Sequence, residues 1–193
     1  MGRFLLGIVF ALVCVPLCGL LWLHYGKPPV AVADPPLLDE GRITHIALDA
    51  RIERELAPRP PVDANEHTFV AGARVYTEKC AVCHGFHGKP AAIGLNMYPA
   101  APQLWEKHGS GDVVGVSDDS PSETYWKVGN GIRLSGMPDF KTQLTNNEMW
   151  EVSLLLANAN KPLPPAALSI LRGDPVSLIP DLGSAPATGP AKP

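Results

Sequence analysis

The chain has 193 residues, 46% of them hydrophobic and 18% charged, which suits one folded core with flanking segments and excludes a wholly disordered polymer. A net charge of −3 provides no basic footprint, so nucleic acid is not an expected partner. The 21 prolines, about twice the usual share of ~5%, gather in clusters that mark where a core is not expected.

From Phe4 to Leu23 the chain carries no charged residue. A helix of that length spans ~30 Å, the thickness of a bilayer's hydrocarbon core. Trp22 and Tyr25 stand at its far edge, where amphipathic rings favour the headgroup level. Residues 1–25 therefore read as a membrane anchor. The run exceeds the ~7–15 apolar residues of a signal peptide, yet Ala31-Val32-Ala33 before Asp34 has the form of a cleavage site. Both readings export the chain. Cys14 and Cys18 fall within the apolar run, on one helical face, and read as small apolar residues.

Residues 26–65 form a proline-rich spacer with one short charged helix. The helix is expected over Leu38–Leu56, where Leu48, Ile52 and Leu56 recur at i+4 among charged neighbours. One thin apolar stripe does not hold a helix in water, so it should lean on the folded domain or on a partner subunit. Prolines 58, 60 and 61 end it. Residues 66–160 are the size of one small domain. Residues 161–193 are rich in Pro, Ala, Gly and Ser and read as a mostly disordered tail, with a few docked residues around Ala166–Leu171.

Within the central region stands Cys80-Ala81-Val82-Cys83-His84. The spacing C-x-x-C-H is the attachment signature of a c-type haem. Two thiols so spaced reach the two vinyl groups on one edge of a porphyrin, and the histidine that follows can bind the iron. A thioredoxin-like dithiol would need a βαβ context, and a zinc site would need a second ligand pair. Neither is present around residues 80–84. One covalently attached haem c is the expected cofactor.

On this motif and three ordered features around it, residues 66–160 resemble a class I monohaem cytochrome c domain of the bacterial, membrane-anchored kind. The first feature is a helix placing Phe69, Gly72, Tyr76 and Cys80 on one face. The second is Leu144-Thr145-Asn146-Asn147-Glu148, a capping box that opens a late helix containing Trp150 and Leu154. The third is Gly136-Met137-Pro138, in a loop just ahead of that helix. The resemblance implies an all-α fold, a small set of helices around one covalently bound haem, behind an N-terminal transmembrane helix. It implies that the terminal helices cross near Gly72 with Tyr76 and Trp150 at the contact. It also implies His/Met ligation of the iron, by His84 and a methionine, and a proline-region carbonyl behind His84, either Pro99 or Pro102, with Pro102 favoured.

Met137 is the expected sixth ligand, since a thioether in a glycine- and proline-bracketed loop suits ferrous iron. Met97 and His108, each in a loop-rich stretch, remain alternatives. His87 lies too near the tethered motif, and Met149 belongs to the late helix as a packing residue. Ser122–Gly129 reads as a short helix stopped by Gly129.

The function these residues predict is one-electron transfer in a membrane respiratory chain. The protein is expected to be a carrier rather than an enzyme, with no catalytic residues and no small-molecule substrate. Its expected partners are membrane-bound redox proteins, with the haem domain on the periplasmic, outer face of the membrane, or free in the periplasm after cleavage. Two alternatives stand: a fixed cytochrome subunit of a larger oxidase, reductase or dehydrogenase, and a haem sensor or peroxidase with an open sixth position.

Overall fold

The structure, a computed structural model, describes residues 2–57, 59–109 and 111–174. The uncharged N-terminal run forms one helix, α1 (Gly2–Tyr25), which buries none of its residues and leaves leucines, valines and phenylalanines outward on every side. Among the described residues it is the one helix long and apolar enough to cross a membrane. Pro16 lies inside it, and the helix runs on past it to Tyr25. After it, the Asp34 carboxylate accepts hydrogen bonds from the Val30 and Ala31 N–H groups and folds the spacer into a turn.

The chain divides into two units, Met1–Ile46 and Ala47–Pro193, with the boundary inside the charged helix α2 (Glu40–Glu55). Of its expected stripe, Ile52 is buried, Leu48 half-buried and Leu56 exposed. At its C-terminal end, Glu55 takes a hydrogen bond from Trp126 Nε1 (3.0 Å) and one from Arg51 (2.6 Å). The second half of this helix thus leans on the folded domain through one isoleucine and one carboxylate.

The second unit is built from helices α3 (Glu66–Val75), α4 (Ala81–His84), α5 (Ala92–Leu95), α6 (Pro121–Asn130), α7 (Asn146–Leu156) and α8 (Pro165–Arg172). No strand occurs among the described residues; two isolated bridges, Phe86–Lys89 and Lys107–Val114, close short turns. Asn65 caps α3 by accepting from Thr68 N–H, and Ser120 caps α6 by accepting from Glu123 N–H. Thr145 and Glu148 form the reciprocal capping box of α7.

Helices α3 and α7 cross at Gly72, where a Cβ would collide with the carbonyl oxygen of Glu151. Tyr76 and Trp150, the aromatics expected at this crossing, are both buried, and each has a ring partner from another segment. Trp150 stacks on Tyr125, with centroids 4.1 Å apart and rings 13° from parallel, and Tyr76 meets Trp105 edge to face at 5.4 Å. Tyr76 keeps the face of Gly72, its N–H bonding to Gly72 O. Beyond it Tyr76–Cys80 widens into a π-turn, Ala81 N–H bonding back to Tyr76 O, so Cys80 leaves the face that 3.6-residue spacing implies.

Two boundaries also shift. Gly129 is buried inside α6, and the helix ends one residue past it, at Asn130, with Gly131 at φ 65° as the capping residue. Residues 161–174, read from sequence as the start of the tail with docked residues around Ala166–Leu171, contain a full helix, α8, which packs on α3 and buries Ala166, Ala167, Ile170 and Leu171. Four apolar residues at helical spacing within a Pro/Ala-rich stretch give a short signal, yet they complete the core. The rest of the expected disordered tail, from 175 on, lies outside the described residues.

Gly72→Ala should destabilise the domain although alanine is the better helix former. Propensity offers at most ~1 kcal/mol, whereas parting two backbones in a packed core costs about 1–3 kcal/mol. A raised melting temperature for the haem-loaded variant would contradict the crossing. Thr145→Ala should cost about 1 kcal/mol at neutral pH. Bonds from the Thr145 N–H and hydroxyl hold the Glu148 carboxyl below the usual glutamate range. That contribution is complete above the ordinary pKa of 4.5 and is lost as pH falls through the lowered folded value. Chemical denaturation at pH 7 and pH 3.5 should therefore show the Thr145→Ala penalty shrinking in acid.

Candidate functional site

The π-turn delivers Cys80, and α4 carries Cys83 and His84, so the motif lies on a tight, non-repeating turn rather than on a straight helix. Its backbone is held from three directions. Tyr76, fully buried, donates its hydroxyl hydrogen toward the carbonyls of Gly85 (2.6 Å) and His84 (3.1 Å). Gln103, also buried, donates from Nε2 to Cys83 O (3.2 Å) and Ala101 O (3.0 Å) and accepts from Ala91 N–H (2.7 Å). Gly94 in α5 presses on the Cys83 carbonyl so closely that a Cβ would overlap it. Tyr76 was legible as a buried aromatic, Gln103 was not: a lone glutamine in a loop carries no sequence pattern.

His84 is anchored by its ring. Nδ1 stands 2.7 Å from the carbonyl oxygen of Pro102, of the two prolines considered the one nearer Gln103 in sequence. A carbonyl only accepts, so Nδ1 carries the hydrogen and Nε2 the lone pair. Burial holds the imidazole below its ordinary range, only partly offset by the Pro102 bond, which keeps the ring neutral at pH 7. Cys80 and Cys83 are free thiols. Burial, with the neighbouring Cys83 second, pushes the Cys80 thiol up to about 12, so it is no ready thiolate at neutral pH.

Met137 lies in a loop closed at both ends. At its start, Gly131 at φ 65° runs against Pro138 and Asp139, where a Cβ would be 2.6 Å from Pro138 C. At its finish, Phe140 N–H bonds to Val128 O (3.1 Å) and the Phe140 ring is buried. Met137 itself is half-buried and packs against the edge of the apolar core. The other donors separate clearly. His108 is exposed, Met149 is buried in the core against Gly129, and His87 is half-buried beside Trp105. Met97 is half-buried and its sulfur lies against Gly136, next to Met137.

These residues fit a haem. A neutral imidazole presents Nε2, two unpaired thiols stand at attachment spacing, and large apolar side chains of the same stretch are left uncovered: Val82 at 63% exposure, with Ile93, Leu95 and Tyr98. Exposed apolar area of that kind around a motif marks a place for a large apolar ligand. When bound, a haem supplies an iron that changes charge by one electron.

Residues 67–154 match the family described as cytochrome c oxidase, cbb3-type, subunit III. No curated protein matched the chain, and no solved structure did. With this match on the helical fold and the Cys80–His84 motif, the chain carries a class I monohaem c-type cytochrome domain, whose cofactor is covalently bound haem c and whose work is haem-based electron transfer.

Proposed function

We propose that the chain is a membrane-anchored electron carrier with a six-coordinate haem. In this reading Cys80 and Cys83 form the thioethers, His84 Nε2 is the proximal ligand and the Met137 thioether the distal one. The observation that carries it is the pair of restraints on the two ligands: His84 fixed through Nδ1 to Pro102 O at 2.7 Å, and Met137 in a loop clamped at Gly131 and Phe140. A fixed ligand pair lowers the reorganisation that electron transfer requires. It also leaves no open iron site for peroxide or oxygen, which is why no catalytic residue is assigned. Methionine ligation places the potential above that of a bis-histidine haem.

The match to an oxidase subunit favours one second reading, that the domain is the fixed cytochrome of a larger complex. Helix α1 supports membrane attachment in both cases. Arg3 is the charge that precedes the apolar run, and a positive end stays cytoplasmic, so the haem domain is assigned to the outer, periplasmic face. Protease added outside intact spheroplasts should release the haem-bearing fragment; complete protection would reverse this topology. Purification in mild detergent separates carrier from subunit, because a carrier elutes alone.

Met137→Ala should abolish the weak red charge-transfer band of the oxidised protein, lower its potential and open the iron to carbon monoxide. Met149→Leu should leave ligation intact and cost under ~1.5 kcal/mol, as isosteric core swaps do. A band that survives Met137→Ala would move the distal ligand to another residue, Met97 first. Carbon monoxide binding by the unmutated protein would favour a sensor or peroxidase.

A further inference from the structure

We propose that Ser135 and Met97 are positioning residues that hold the Met137 thioether on the iron and so set how readily another ligand displaces it. The proposal rests on Met137 as distal ligand. Both polar backbone groups of Met137 are engaged. Its N–H donates to Ser135 Oγ (3.1 Å), that hydroxyl donates to Ile132 O (2.7 Å), and Ile132 N–H donates to Met137 O (3.2 Å). Ser135 is thereby the pivot of a closed ring of bonds from 132 to 137. To bring it round, Leu134 adopts φ 62° with its side chain 88% exposed. A non-glycine residue in that region is strained, so the ring of bonds must outweigh that strain.

Met97 braces the loop from the other side. Its sulfur and methyl group fill the space beside Gly136, where a Cβ would stand 2.9 Å from Sδ and 3.1 Å from Cε. Met97 N–H bonds to Gly94 O (3.3 Å), and Gly94 rests on the Cys83 carbonyl. The short segment Gly94–Met97 is therefore a strut. One end bears on the haem-attachment motif, the other on the loop of the distal methionine. Slackening of the loop by loss of either contact leaves Met137 attached but easier to displace.

The test is imidazole titration of the oxidised, haem-loaded full chain in detergent, read by loss of the charge-transfer band. Ser135→Ala removes one hydroxyl's bonds and should raise imidazole affinity roughly fivefold, as a net loss of about one hydrogen bond implies. Met97→Ala should raise it several-fold as well, since the brace is gone. Ser135→Thr and Met97→Leu keep the hydroxyl and the bulk, and should return affinity to within about twofold of the unmutated protein. A purely structural role would lower the melting temperature and leave imidazole affinity unchanged in both alanine variants, which overturns the proposal. Should Ser135→Ala fail to hold haem, the Met97 pair still decides it. An unmutated protein that lacks the band overturns the Met137 assignment itself, and the clamp with it.

Discussion

The site depends on one hydrogen bond, from His84 Nδ1 to the carbonyl of Pro102. An imidazole offers two nitrogens and can turn about its Cβ–Cγ bond, so an unanchored ring would present either nitrogen in several directions. Bonding Nδ1–H to a fixed carbonyl settles the tautomer and the ring plane together, and raises the basicity of Nε2. Much of the surrounding structure makes that carbonyl fixed. Gln103, next in the chain, ties Cys83, Ala101 and Ala91 into one unit, and Leu104 N–H returns to His84 O at 3.2 Å.

The second recurring constraint is backbone against backbone. At Gly72, Gly94 and Gly131 one chain segment meets another with no room for a side chain. The first sets the α3–α7 crossing, the second seats α5 on Cys83, and the third folds the Met137 loop back on α6. Such contacts fix distance, because peptide planes in contact tolerate little relative motion.

The chemistry was more legible in the sequence than the packing was. C-x-x-C-H has one dominant physical meaning, and Thr145 with Glu148 announces a helix start at the residue level. The crossing at Gly72 could be anticipated from a small residue on an otherwise apolar face. Partner choice could not: Tyr76 meets the ring of Trp105 and Trp150 that of Tyr125, and no periodicity reveals which segment supplies the second ring. Helix α8 was legible in part, as docked residues around Ala166–Leu171 but not as a helix. Its stripe is short and sits in a Pro/Ala-rich segment whose composition resembles a solvated tail, and α3 offers the apolar face it packs on. Gln103 and Ser135 were silent, since a polar side chain that bonds local carbonyls looks in sequence like any loop residue.

The central claim is that the iron is held between one imidazole and one thioether. Near-infrared magnetic circular dichroism of the oxidised full-length protein reports the axial ligand pair directly, without mutation. A single low-spin species with the histidine–methionine signature is the predicted result. A bis-histidine signature, or a high-spin iron, would contradict the account.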